Sequence, residues 1–149
     1  MSIEKTLADV IVAVDHVGIA VADLDAALDL YTSTLGFTCE HRETNAEQLI
    51  DEAMLSVAGS DVRIQLIAPT SPESAIARFL DKRGPGLQQI AYRVTDIDEA
   101  CAAARAAGLE LLYASPRRGT LDSRINFIHP RSAGGVLVEL VEPARSTLA

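Results

Sequence analysis

The chain repeats itself at a spacing of 73–74 residues, and this repeat limits the folds open to it more than any other feature. Val17-Gly18-Ile19-Ala20-Val21-Ala22-Asp23-Leu24-Asp25 lies on Ile90-Ala91-Tyr92-Arg93-Val94-Thr95-Asp96-Ile97-Asp98 at an offset of 73. Further on, Val62-Arg63-Ile64-Gln65-Leu66-Ile67-Ala68-Pro69 lies on Val136-Leu137-Val138-Glu139-Leu140-Val141-Glu142-Pro143 at an offset of 74. Two blocks in one order at nearly one spacing indicate a duplicated module.

Each copy reads the same way. A β-branched strand (15–21; 88–94) runs into an Asp-x-Asp turn, where a carboxylate can cap the free N–H groups of a following helix. The helices are predicted over 24–34 and 97–107, with Gly36 and Gly108 at the stops. Strands follow at 37–43, 49–57 and 61–68, then at 109–114, 123–129 and 135–142. The result is α+β: βαβββ twice, module one over about 14–69 and module two over about 87–143 of a single domain 1–149. A linking helix is predicted over 71–83, before the Gly84-Pro85-Gly86 break.

Composition removes several function classes. The 149 residues are 48% hydrophobic, enough for one packed core and too many for a disordered chain. A net charge of −8 disfavours phosphate backbones and anionic membranes. No apolar run approaches the roughly 18 residues of a membrane span. The first residues lack the pattern of a signal peptide, and Cys39 and Cys101 are far apart, so a reduced cytoplasmic protein is expected.

Side chains alternate faces along a strand. Val17, Ile19 and Val21 suit a helix-covered face, which puts His16, Gly18 and Ala20 on the other. The same parity puts Gln65, Gln89 and Glu139 on the non-helix faces of equivalent strands. Gly18, Ala20 and Ala91 leave room beside these polar groups. One imidazole, one carboxylate and two amide oxygens can hold a divalent ion. Taken singly, Gln65 and Gln89 read as ordinary strand polars, and a buried Glu139 could pair with Arg63 or Arg93 instead. Asp23, Asp25, Asp96 and Asp98 read as helix caps, and His41 and His129 as structural.

From 14 to 143 the sequence resembles the vicinal oxygen chelate superfamily, and more narrowly the methylmalonyl-CoA epimerase family. The carriers are Asp15-His16-Val17-Gly18-Ile19-Ala20, Glu52-Ala53-Met54-Leu55, Gln65-Leu66, Arg117-Arg118-Gly119, Ser123-Arg124-Ile125, His129-Pro130 and Glu139-Leu140-Val141-Glu142-Pro143. The resemblance implies a curved, barrel-like mixed sheet with helices outside. It implies metal ligands at His16, Gln65, Gln89 and Glu139, and a divalent metal ion, with cobalt expected and manganese an alternative. It implies Glu47 as an acid/base, with Glu139, Glu52 or water open as the second proton carrier. An acyl-CoA thioester substrate and a homodimer are implied as well. Two departures stand out: Gln88-Gln89 replaces the usual His-His, and Glu47-Gln48-Leu49-Ile50 replaces Glu-Gln-Gly-Val.

The implied reaction is epimerisation at C2 of methylmalonyl-CoA, by proton removal and return through a metal-stabilised enolate. Against the acidic whole, 117–131 gathers Arg117, Arg118, Arg124, Arg131 and His129. Arg117, Arg118, Ser123 and Arg124 are the expected contacts to the substrate, since forked guanidinium donors suit phosphate and carboxylate. The bland reading of this stretch is a solvated loop balancing nearby acids. Two competing functions remain open. Glyoxalase-like isomerases usually carry a glutamate where Gln65 stands. A metal-free small-molecule-binding protein is compatible with Gln88-Gln89.

Overall fold

In the computed structural model, residues 5–145 are described. They form two compact units, one of His16–Gln89 and the other of the residues before and after that span. Helix α1 (Leu7–Val10) leads into β1 (Ile11–Ala20); α2 (Leu24–Asp29) then continues into a π-turn over Leu30–Thr34. Strands β2 (Thr38–Asn45), β3 (Ile50–Ser56) and β4 (Arg63–Pro69) precede α3 (Ala75–Arg83). The second copy has β5 (Gly86–Val94), α4 (Ile97–Ala106), β6 (Arg117–Arg118), β7 (Arg124–Ile128) and β8 (Val138–Glu142).

Both copies are ordered alike. The first runs β2-β3-β4-β1 and the second β6-β7-β8-β5. In each, first and fourth strands are parallel and the others antiparallel. The expected α+β, twice-βαβββ class with mixed pairing is therefore present. Among the described residues no helix is long and apolar enough to cross a membrane.

The caps match the duplicated sequence. Asp23 Oδ1 accepts from Ala26 N at 3.1 Å, and Asp96 Oδ1 accepts from Glu99 N at 3.0 Å. Gly36 and Gly108 both take φ near +80°, where an L side chain is disfavoured and a helix stops. The π-turn is closed by Leu35 N donating to Leu30 O at 3.0 Å, one residue wider than an α-helical bond.

In the His16–Gln89 unit, Leu24 of α2 packs on Ala53, Leu55, Leu66 and Ala68, with Ile19 and Val21 beside them. Each such large aliphatic side chain stabilises the fold by roughly 1.5–3 kcal/mol when fully buried. On the other face, Ala20, Ile50 and Ile67 pack against Ile76 of α3. In the second unit, Ile97, Ala100 and Cys101 of α4 pack on Val138, Leu140 and Val94. Burial pushes the Cys101 thiol up from its ordinary pKa.

Several boundaries differ from expectation. The first strand starts four residues early, and its leading half belongs to the second unit, where Ile11 and the preceding Val10 of α1 pack on the α4 core. The strand expected over 109–114 is reduced to one bridge, Leu111 to Ile128. Asn126 explains why. Its Oδ1 accepts from Tyr113 N at 3.1 Å and its Nδ2 donates to Tyr113 O at 3.0 Å, so a side-chain amide stands where a ladder partner would be. The fourth strand of the second copy begins late, at Val138, because Gly134 and Gly135 take positive φ in the preceding turn.

Asn126 is fully buried and also accepts from Phe127 N at 2.8 Å. Asn126→Ala is expected to destabilise the protein by about 2–3 kcal/mol, since it strands buried backbone groups. A urea unfolding midpoint unchanged from the parent would refute this.

Candidate active site

Strand parity separates the two faces as the sequence indicates. In the first unit, Gly18 of β1 sits opposite Gln65 of β4, and Gln65 sits opposite Met54 of β3. His16, Gly18, Gln65, Ile67, Glu52 and Met54 therefore share the face away from α2. Four polar side chains there, His16, Glu52, Gln65 and Gln89, are each at most 8% exposed.

Three of them touch. Gln89 Nε2 donates to Gln65 Oε1 at 3.3 Å, and Gln65 Nε2 donates to Glu52 Oε1 at 3.3 Å. Gly18 makes this possible, because a Cβ there would lie 2.5 Å from Gln89 Cγ. His16 stands two residues before Gly18 on the same face. His16, Gln65 and Gln89 are ligands that the family resemblance implies; Glu52 belongs to a motif that carries the resemblance and is open there as a second proton carrier. The alternation Ile50, Glu52, Met54 was the signal that puts Glu52 on the same face.

Among the described residues, no three His, Cys, Asp or Glu side chains cluster as a metal set. A cation here has to use amide oxygens, and the donor chemistry fits that. Gln65 and Gln89 bring oxygens, His16 brings a ring nitrogen, and the glycine cradle gives Gln89 space.

Glu139 lies in the other unit, on β8 between Leu137 and Val141. Its neighbours in register are Ala91 and Phe127, and it is buried. Leu137 and Val141 pack with Ala91, Ile125 and Phe127, opposite the α4 face, as parity requires. Arg93, one alternative partner for Glu139, donates from Nε to Asp15 Oδ1 at 2.9 Å.

Glu47 is exposed in the turn between β2 and β3. Gln48 N donates to Asn45 Oδ1 at 3.1 Å and closes that turn. Leu49 takes φ 58°, a left-handed conformation costing a non-glycine residue about 1–2 kcal/mol. The turn thus keeps a glycine-like backbone although a leucine occupies the position.

The basic stretch is largely neutralised locally. Arg118 pairs with Asp122 at 3.0 Å, Arg124 with Asp98 at 3.0 Å and Arg131 with Glu110 at 2.9 Å. The Arg131 hydrogen bond holds the Glu110 carboxyl below its ordinary range. Arg117 instead lies over the Tyr113 ring, 4.1 Å from its centroid, and that ring meets Phe127 edge-on at 5.9 Å. Ser123 is buried, and its hydroxyl oxygen has no hydrogen-bond partner. The Thr120–Ser123 turn that carries it has two residues with positive φ, Leu121 at 54° and Asp122 at 61°.

Residues 15–127 match the Glyoxalase/Bleomycin resistance protein/Dioxygenase superfamily, and the chain belongs to it. A relative in Cereibacter sphaeroides, named ethylmalonyl-CoA/methylmalonyl-CoA epimerase, is 33% identical over 85% of this chain and 94% of its own. The crystal structure of methylmalonyl-CoA epimerase from Mycobacterium tuberculosis superposes with a TM-score of 0.89 at 54% identity, covering 97% of this chain and 94% of the other. A variant of the Streptomyces coelicolor methylmalonyl-CoA epimerase, in complex with 2-nitronate-propionyl-CoA, superposes at 0.87 with 41% identity, over 91% and 99%. Within the superfamily, these likenesses place the chain in the methylmalonyl-CoA epimerase family.

The Gly18 cradle yields a direct test. Gly18→Ala should cost about 1–3 kcal/mol through overpacking against Gln89. Adding Gln89→Ala should restore most of that loss in urea unfolding; no recovery would show that the clash lies elsewhere.

Proposed function

We propose that this protein interconverts (2R)- and (2S)-methylmalonyl-CoA, removing and returning the proton at C2. The observation that carries the reading is the buried Gln89–Gln65–Glu52 hydrogen-bond chain on the face away from α2 that also bears His16, in a chain of this family. His16, Gln65, Gln89 and Glu139 would hold a divalent ion, cobalt or manganese. When bound, such an ion supplies Lewis-acid charge to oxygens of the substrate.

The remaining chemistry belongs to the chain's own groups. Glu47 is the acid/base that takes the C2 proton; its side chain is exposed on the turn that joins β2 and β3. Glu139 is the single carboxylate among the four proposed ligands, so a bound divalent ion keeps net positive charge toward an anionic substrate. Arg117, Arg118 and Arg124 bind anionic groups of the acyl-CoA, and the buried Ser123 hydroxyl offers a donor. The acid partners of Arg118 and Arg124 are no obstacle. Exposed ion pairs contribute only about 0–1 kcal/mol, so a multiply charged phosphate can displace them. The reading includes a cytoplasmic homodimer, which agrees with two cysteines that form no disulfide.

A metal-free small-molecule-binding protein is the second reading, because the Gln65–Gln89 bond occupies an amide oxygen that a cation would use. The decisive experiment follows C2 of methylmalonyl-CoA by NMR in deuterated water with cobalt or manganese present. Label uptake is expected, and Glu47→Gln and Glu139→Ala should each slow it by at least about 100-fold. Absence of uptake by the parent protein would remove the epimerase reading.

Substrate binding has its own check. Arg117→Ala combined with Arg118→Ala should raise KM for the CoA thioester about tenfold, equivalent to about 1.4 kcal/mol. An unchanged KM would take these arginines out of the site.

A further inference from the structure

The polar face of the His16–Gln89 unit has two unlike ends. At one end Ala20, Ile50 and Ile67 are buried against Ile76 of α3. At the other stands Arg63, the first residue of β4. The ladder fixes which way it faces. Arg63 is the register partner of His16 in the parallel β1–β4 pair, and Gln65 follows two residues on. Side chains at i and i+2 of a strand share a face, so Arg63 lies on the face of His16 and Gln65. The pairing of β4 with β3 reaches only to Ile64, opposite Leu55, so Arg63 stands at the rim of that face, half-buried.

Neighbouring strands are about 4.8 Å apart, and positions i and i+2 about 6.7 Å apart. The Arg63 side chain therefore starts one strand spacing from His16 and one side-chain repeat from Gln65. A molecule held at those two groups lies within reach of its guanidinium. Arginine stays charged at any working pH, and its forked donors match the two oxygens of a carboxylate. We propose that Arg63 is a substrate-binding residue that takes the free carboxylate of the malonyl group. The CoA phosphates are the other anions of such a substrate, but a pantetheine arm separates them from the acyl carbons, whereas Arg63 stands beside the ligand candidates. The inference rests on the reading of this face as the acyl-binding site. It gives the acyl carboxylate a cation of its own, on a different strand from Arg117, Arg118 and Arg124.

Isothermal titration with two thioesters tests this. Racemic methylmalonyl-CoA carries the carboxylate, and an epimerase leaves its composition unchanged. Propionyl-CoA carries the same phosphates without that carboxylate. Arg63→Ala should weaken binding of methylmalonyl-CoA about tenfold, the scale of a lost charge-assisted hydrogen bond, and binding of propionyl-CoA less than about twofold. Arg63→Lys, which keeps the charge and loses the fork, should recover part of the loss. An equal loss on both thioesters overturns the proposal, because it assigns Arg63 to the phosphates or to the fold. Undiminished binding of methylmalonyl-CoA, no recovery with lysine, or a parent protein that does not bind methylmalonyl-CoA overturns it too.

The deuterium experiment separates this proposal from the wider reading. Label uptake by the parent, with an unaltered Arg63→Ala titration, sinks the Arg63 assignment alone. A loss confined to methylmalonyl-CoA, in a protein that shows no uptake, supports the carboxylate contact and removes the epimerase.

Discussion

Everything in this structure depends on the two-residue period of the strands. Each site-bearing strand has to satisfy a helix on one face and polar chemistry on the other. On β4, Leu66 and Ala68 face the α2 cluster while Gln65 and Ile67 face away. On β8, Val138 and Leu140 face α4 while Glu139 and Val141, with Leu137 just before the strand, face away. A one-residue slip would put Gln65 or Glu139 under a helix and a leucine into the polar face. The buried apolar face therefore locks the register, and the locked register delivers the polar groups.

That coupling explains what the sequence could show. The repeat, the Asp23 and Asp96 caps and the face of His16, Gln65, Gln89 and Glu139 all follow from short-range periodicity, and all are legible. Features set by tertiary contact are not. The start of β1 belongs with the α4 core because Ile11 and the preceding Val10 of α1 find their partners about 85–130 residues away, which no local pattern states. The missing strand near Tyr113 depends on one amide, Asn126, reaching across to take both backbone groups of that residue. The glutamine at 65 is legible as a strand polar, but its hydrogen bond to Glu52, thirteen residues earlier on the neighbouring strand, is not.

The charge pattern shows the same division. Counting residues finds a basic stretch at 117–131, and the folded chain brings Asp98, Glu110 and Asp122 to three of its arginines. Arg117 is held differently, over a tyrosine ring that is itself braced by Phe127. A guanidinium stacked on an aromatic ring adds a cation–π attraction to whatever its forked donors make at the edge of the plane. The ring is placed by the Asn126 amide that fixes the Tyr113 backbone, so a buried structural residue and the exposed Arg117 are joined by two contacts.

The replacement of imidazole by amide at position 89 changes what the site asks of its surroundings. A histidine ligand needs one ring nitrogen kept deprotonated; a glutamine ligand needs one of two near-identical ends turned the right way. Two neighbouring amides left alone satisfy each other, as Gln89 and Gln65 do here. A group that accepts and cannot donate breaks that symmetry, and a buried carboxylate on the adjacent strand is such a group. Glu52 accepts from Gln65 Nε2 on that face, and Glu139 is the single anionic member among the proposed ligands.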